Sequence, residues 1–334
     1  MKQFKGLTTI IFLFLVIPCF SQWEFGGGLG PSNYLGEIGG LEEPKGFIGD
    51  LQLKKTRMGI NAFGRYNFTD KLALSAGIAH GWLEGADSLS LSPNRFTRNL
   101  SFRNQIFEFY LRGEVDLFAL QVIKRGGRFR LRFAPYLFFG GGVFYHNPKA
   151  YYLGDWYSLQ TLQTEGVAYK KINYSIPLGM GVSFKIGRHH NFGWEVGWRP
   201  TFTDYIDDVS GGYQPRDQFT DPVALALSDR SFEVNPDEPN FLGTELFSSA
   251  SSVASLSPRG NPETNDSYLM SYFTYSYSIG NVGGRSRGSS SKSRYSLVKP
   301  NNKSFRKKSI HKYKRRTKNR RKKKLFHKKL HPHF

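Results

Sequence analysis

The sequence predicts an all-β fold: an eight-stranded antiparallel transmembrane up-and-down β-barrel, followed by a disordered basic C-terminal tail. Three observations carry this expectation. Hydrophobicity alternates with period two over long segments. The alternation sorts bulky aromatic residues onto one face and charged residues onto the other. The segments number eight, and the connections between them alternate between short and long.

Residues 1–21 read as a signal peptide. Lys2 and Lys5 precede the short apolar run Leu7–Ile17, and Cys19-Phe20-Ser21 supplies small residues at −3 and −1, so the mature chain is expected to begin at Gln22. The run is too short to span a bilayer as a helix, which takes about 20 residues. Lipidation at Cys19 is disfavoured by Pro18, which stands where a small residue belongs. Cys19 is the chain's one cysteine, so the mature chain has no disulfide framework, thiolate nucleophile or cysteine-based metal site.

The eight strand segments are Trp23–Gly30, Arg57–Phe68, Lys71–Trp82, Ser101–Phe118, Arg128–Tyr145, Asn173–Ile186, Asn191–Tyr205 and Ser267–Ile279. In the third, Leu72, Leu74, Ile78 and Trp82 oppose Ala73, Ser75, Gly77 and Gly81. In the fourth, Phe107, Phe109, Leu111 and Val115 oppose Glu108, Arg112, Glu114 and Asp116. Phe129, Phe133 and Leu137 face away from Arg128, Arg130 and Arg132, and Phe192, Trp194 and Trp198 away from Glu195 and Arg199. A soluble sandwich also alternates, but aromatic residues on one face and Glu, Asp and Arg on the other suit lipid outside and a polar lumen inside. The connections 69–70, 119–127 and 187–190 are short, whereas 31–56, 83–100, 146–172 and 206–266 are longer. Short turns facing the periplasm place the barrel, residues 22–280, in the outer membrane with both ends periplasmic.

An eight-stranded barrel is just wide enough for side chains to fill it. Arg128, Arg130 and Arg132 are expected to pair with Glu108, Glu114 and Asp116 of the preceding strand, closing the lumen to conduction. Other constellations carry little chemistry. Gly26-Gly27-Gly28-Leu29-Gly30-Pro31 lacks the last glycine and the following helix of a dinucleotide loop. His189-His190 reads as a turn. Asp204, Asp207 and Asp208 are candidates for Ca²⁺ or acid–base work at the rim, against the plainer reading of a solvated loop base. No cofactor is expected. The connection 206–266 is long enough to be either a partner-binding surface or disordered.

The charge is concentrated at one end. The chain carries a formal +21, and residues 281–334 contain 21 Lys and Arg with no Asp or Glu; the remainder balances 26 basic against 26 acidic residues. Within this tail, Arg306, Lys307 and Lys308, then Lys314, Arg315 and Arg316, then Arg320, Arg321, Lys322, Lys323 and Lys324 form dense blocks that repel one another and will not fold alone. Behind a signal peptide and a barrel, such a tail is not expected to meet nucleic acid. Peptidoglycan carboxylates, anionic lipid and acidic protein faces are the candidate partners.

At the expected mature N-terminus, Trp23-Glu24-Phe25-Gly26-Gly27-Gly28-Leu29-Gly30 is followed by Ser32-Asn33-Tyr34-Leu35-Gly36-Glu37-Ile38-Gly39. This stretch resembles the opening of the PorG family, outer-membrane β-barrels of the type IX secretion system. The resemblance in organisation extends over residues 22–279 and singles out Asn33, Tyr34, Gly36 and Glu37 as a family motif. It implies a non-enzymatic barrel that anchors the periplasmic PorK/PorN ring to the outer membrane. The long 206–266 connection and the basic tail depart from the family pattern. The alternatives are a tether from outer membrane to cell wall through the tail, and an outer-membrane enzyme built on Asp204, Asp207 and Asp208.

Overall fold

A computed structural model of the chain describes residues 22–39, 53–123, 130–234 and 258–279. The expected signal peptide, Arg128 and the basic tail with all its named blocks lie outside these residues. Twelve strands form one antiparallel sheet: β1 (Trp23–Leu35), β2 (Arg57–Asn67), β3 (Leu72–Ala86), β4 (Ser101–Asp116), β5 (Leu120–Ile123), β6 (Arg130–Tyr145), β7 (Lys149–Tyr152), β8 (Asp155–Ser158), β9 (Ile172–Ser175), β10 (Leu178–Ile186), β11 (His190–Pro200) and β12 (Ser267–Ile279). Eight staves close the barrel in the order β1–β2–β3–β4–β6–β10–β11–β12, and β12 returns to β1 through the pairs Trp23↔Ile279 to Leu35↔Ser267. Closure removes every free edge from the barrel wall, which a membrane interior requires.

The shorter strands extend these staves. β9 and β10 form one stave, because both pair with β6 in a single register, Ser175↔Gly142 and Leu178↔Phe139. Pro177, lacking an N–H, interrupts the ladder between them, although its carbonyl still accepts from Gly140 N at 2.9 Å. β5 continues β4 after a shift of register. Asp116 pairs with Tyr136 but Leu120 with Phe133, so β4–β5 carries one extra residue, a β-bulge at 118–119.

These pairings correct several expected boundaries. The connection expected over 119–127 contains strand β5. Strand β1 runs past Gly30 to Leu35, taking Asn33 and Tyr34 into the barrel wall. β11 stops at Pro200 rather than Tyr205, where its ladder with β12 ends at Ser267; beyond it only isolated contacts continue, the Ser175↔Thr201 bridge and the bonds of Thr201 N to Asp266 O at 3.2 Å and Phe202 N to Tyr174 O at 3.2 Å.

The polarity of the wall is inverted relative to a soluble protein. Phe139 and Phe273 are 66% and 65% exposed on the outside, whereas Arg112 and Arg199 are 1% exposed inside. In water such a continuous apolar exterior would be a large unpaid cost; facing lipid it is the stable arrangement. Aromatic residues ring the end that carries the short turns. Trp23 lies 5.1 Å from Tyr66, Tyr66 4.9 Å from Phe68, Phe133 5.1 Å from Phe184 and Phe192 5.2 Å from Tyr275. At the loop end His80 stacks on Phe107 at 4.1 Å, near exposed Tyr145, Trp156 and Tyr174. The two rings bracket an apolar band formed by Leu29, Ile78, Phe109, Leu137 and Met180.

Candidate functional site: the filled lumen and the loop cap

The turn half of the lumen is an ionic network. Inward positions of β4 are its even residues, and they carry Glu108, Arg112 and Glu114. Arg112 Nη1 and Nη2 donate to Glu195 Oε1 and Oε2 at 3.0 and 2.7 Å, and Tyr136 Oη donates to the same carboxylate at 2.8 Å. Arg112 also pairs with Glu114 at 3.2 Å. Arg65 bridges Glu114 at 2.7 Å and Glu24 at 2.9 Å. Glu24 additionally accepts from Asn191 Nδ2 at 2.9 Å and from the Ser276 hydroxyl. Higher in the barrel Arg199 Nε donates to Glu108 Oε2 at 2.8 Å, while Ser175 and Tyr268 donate to Glu108 Oε1 at 2.6 and 3.0 Å. The guanidinium of Arg112 also lies 4.2 Å above the Phe138 ring. Each buried charge thus has a partner of opposite sign and further hydrogen bonds, the condition under which burial is tolerable.

Charged residues pair within the lumen, but with partners other than the expected ones. Opposite Glu108, Glu114 and Asp116 on β6 stand Phe144, Phe138 and Tyr136, not arginines. The register places Arg130 and Arg132 opposite β5, toward the turn rim. There Arg132 pairs with Asp116 at 2.6 Å and donates to Asp70 O at 2.7 Å, the one pair of the expected set that forms among the described residues. Glu108 is instead neutralised by Arg199 of β11, and Glu114 by Arg65 of β2 and by Arg112 of its own strand. Inward-facing residues near the loop end are also apolar rather than charged: Leu83, Phe102, Ile106, Phe144 and Met270 form a buried core with Tyr110 and Tyr268.

That core continues into a cap in which all four long connections meet. Loop helices α1 (Pro93–Arg98), α2 (Leu159–Leu162) and α3 (Pro222–Ser228) help to build it. α1 ends because Asn99 takes the left-handed conformation at φ 54°, which asparagine tolerates. This turn presents Arg98, which donates to Asp87 at 2.7 and 2.9 Å, to Glu37 O at 3.1 Å and to Arg259 O at 2.5 Å. Asp87 in turn accepts from Gly39 N and Leu100 N at 3.0 and 3.1 Å. Arg259 pairs with Glu165 at 3.0 Å, and Glu165 accepts from Ser210 N and Gly211 N.

The motif at the end of β1 locks this cap to the barrel. Tyr34 Oη lies 2.6 Å from Asp207 Oδ2 and 2.5 Å from Asp266 Oδ1, joining β1 to the 201–266 connection and to the residue before β12. Asn33 Oδ1 accepts from Thr56 Oγ1 at 2.8 Å, and Glu37 Oε1 accepts from Asn261 N. A Cβ on Gly36 would sit 2.0 Å from Tyr34 Oη and 2.2 Å from Asp266, so only glycine admits the close approach. Sequence reasoning singled out the motif; it missed Asp87, Arg98, Glu165, Arg259 and Asp266, whose partners lie on distant loops.

The three candidate aspartates do not converge. Asp207 accepts from Tyr34, Ile38 N and Val209 N, while Asp208 accepts from Thr164 and, at 2.6 Å, from Tyr169. Asp204 faces the Ser210 hydroxyl, and its charge reaches Asp207 and Asp266. They are buried, not a solvated loop base. Burial pushes Asp204 up to about 7, opposed by the Ser210 hydroxyl and reinforced by Glu37 and Glu165. Burial likewise raises Asp208 to about 6 against the pull of Arg259, and raises Glu37, Asp207 and Asp266. Among the described residues no group of three His, Cys, Asp or Glu is placed to hold a metal ion.

A closed barrel with lipid-facing aromatics, an ionic lumen and a folded cap defines an outer-membrane-type β-barrel. The chain belongs to the family described as domain of unknown function DUF6089, which matches residues 4–224. No curated protein matches it. Among solved structures it is similar to Ail, the attachment invasion locus protein of Yersinia pestis, crystallised with the heparin analogue sucrose octasulfate. That likeness has a TM-score of 0.31 at 9% identity, covering 77% of this chain and 97% of Ail.

Proposed function

We propose that this chain is a non-enzymatic outer-membrane barrel that acts as an accessory and anchor of a type IX protein secretion system, holding a PorK/PorN-type periplasmic ring. The observation that carries the anchor reading is the filled lumen. Arg65, Arg112 and Arg199 are matched to Glu24, Glu114, Glu195 and Glu108 inside the wall, which suits a rigid fixture rather than a conduit. The PorG-like stretch Trp23–Gly39 supplies the secretion-system assignment. The pairing Trp23↔Ile279 brings both ends of the barrel to the rim that carries the short turns. With that rim periplasmic, as is usual for such barrels, the basic tail starts on the ring side.

The tail's 21 basic residues favour a second reading, a tether to cell-wall carboxylates. One experiment separates the two. Tagged full-length protein and a version stopped after Ile279 are captured from outer membranes and their bound material identified. Ring lipoproteins held by the full-length chain and lost on truncation support the anchor with the tail as its hook; retention by both puts the hook in the short turns. Cell-wall fragments held through the tail, with no ring protein on either version, would replace the anchor with the tether.

A further inference from the structure

On the outer wall at the loop end, a groove of about 400 Å³ lies between β4, the end of β6 and the β7–β8 hairpin. Its lining includes Arg103, Phe107, Tyr145, Asn147, Lys149 and Trp156, two cations and three aromatic rings with no carboxylate. Arg103 lies over the Trp156 ring at 4.5 Å and opposite Lys149 in the ladder, so the two cations and the indole are held together. Outward positions of β4 are its odd residues, and Phe107, 51% exposed, marks where the groove opens onto the lipid-facing wall of Phe109, Leu111 and Val143. The charge extends beyond the groove. Glu84, outward on β3, is shared by Lys55, Arg57 and Arg103, leaving the rim basic.

A solvated surface has no need of cations stacked on indole directly above an apolar wall. A phosphorylated lipid has this polarity: an anionic headgroup for the cations, sugar or glycerol faces for the aromatic rings, and acyl chains for the wall below. We propose that this groove binds the phosphorylated headgroup of a glycolipid in the membrane leaflet at the loop end. The inference rests on the outer-membrane reading given above, with the loop end outward, and is independent of any secretion partner. Arg103 and Lys149 hold the phosphate, Trp156 and Tyr145 pack on the sugar, and Phe107 meets the first acyl methylenes.

The test uses the full chain folded into phosphatidylcholine vesicles, with folding checked by heat-modifiable mobility on gels. Diphosphoryl lipid A and its dephosphorylated form are then titrated as probes, with Trp fluorescence and native mass spectrometry as readouts. The phosphorylated form is expected to bind about tenfold or more tightly than the dephosphorylated one, and R103Q/K149Q to lose that preference while still folding. A milder variant, K149Q, gives a partial loss and guards against a folding defect in the double variant. Equal binding of the two probes to the folded wild-type chain, or undiminished preference in folded R103Q/K149Q, overturns the proposal while leaving the barrel reading intact. Displacement of lipid A by millimolar inorganic phosphate would replace the lipid site by a simple phosphate site. Failure to fold into vesicles at all would overturn both readings.

Discussion

Arg112 on β4 meets Glu195 on β11 across the lumen through two parallel hydrogen bonds, of 3.0 and 2.7 Å. The two strands are separated around the barrel by β6 and β10, so this pair clamps non-neighbouring parts of the wall. Removing one partner leaves the other charged and buried. Glu195→Gln and Arg112→Met are each expected to destabilise the folded barrel by about 3 kcal/mol. Their combination should cost clearly less than the sum, because neither charge is then stranded. Urea unfolding in lipid vesicles across the double-mutant cycle measures this; additive losses would show that the pair is not coupled.

Tyr34 holds two carboxylates with one hydroxyl, so its removal should loosen the cap and spare the wall. Tyr34→Phe leaves Asp207 and Asp266 without the hydroxyl they share, a loss of about 1–3 kcal/mol confined to the cap. Gly36→Ala should be at least as damaging, since its methyl group enters the same contact. Limited proteolysis within the 201–234 region should accelerate in both variants, while heat-modifiable mobility of the barrel persists. Unchanged proteolysis in both would remove the cap-locking role from the motif.

Much of this architecture is legible in one dimension because a strand's faces follow from its own alternation. The segments around Phe107–Leu117 and Phe192–Trp198 declare lipid-facing and lumen-facing sides without reference to any neighbour. The segment Ser267–Ile279 coincides with β12. What alternation cannot supply is the partner across a closed barrel. Glu108 is matched by Arg199, 91 residues away, only because closure fixes which strands face one another. The cap is hidden for the same reason: the composition of the 206–266 connection suits either a partner-binding surface or disorder, yet Ile206, Val209 and Leu227 belong to the buried core. The bulge at 118–119 is likewise a property of the pairing with β6, not of either strand alone.

Asp204 gives the cap a pH dependence with a definite sign. Its carboxyl is raised from 3.8 to about 7 in the folded cap, so the folded state binds the extra proton between those values. Its contribution to stability is complete below the unfolded value and is lost as pH rises toward about 7. Asp208, raised to about 6, has the same sign over a narrower window. Asp204→Asn should flatten the decline and stabilise the cap near pH 7.5 by about 1 kcal/mol. Hydrogen exchange of cap amides from pH 5 to 8, corrected for intrinsic rates, reads this directly. A cap whose protection rises with pH in the wild type would contradict the assignment.

Arg98 separates the stability of the cap from that of the barrel. Its guanidinium joins Asp87 at 2.7 Å to the carbonyls of Glu37 and Arg259, and so ties the second long connection to the first and fourth. Asp87 is fully buried and relies on Arg98 for its counter-charge. Arg98→Met keeps the packing volume but strands that carboxylate, at about 3 kcal/mol. The loss should appear as faster exchange at Gly39 and Leu100, whose amides both donate to Asp87. The double variant Arg98→Met/Asp87→Leu should recover part of it. Exchange in β4 and β11 should stay slow throughout, because their ladders and the Arg112–Glu195 clamp do not depend on Arg98. Loss of protection in the ladders together with the cap would mean that barrel and cap unfold as one unit.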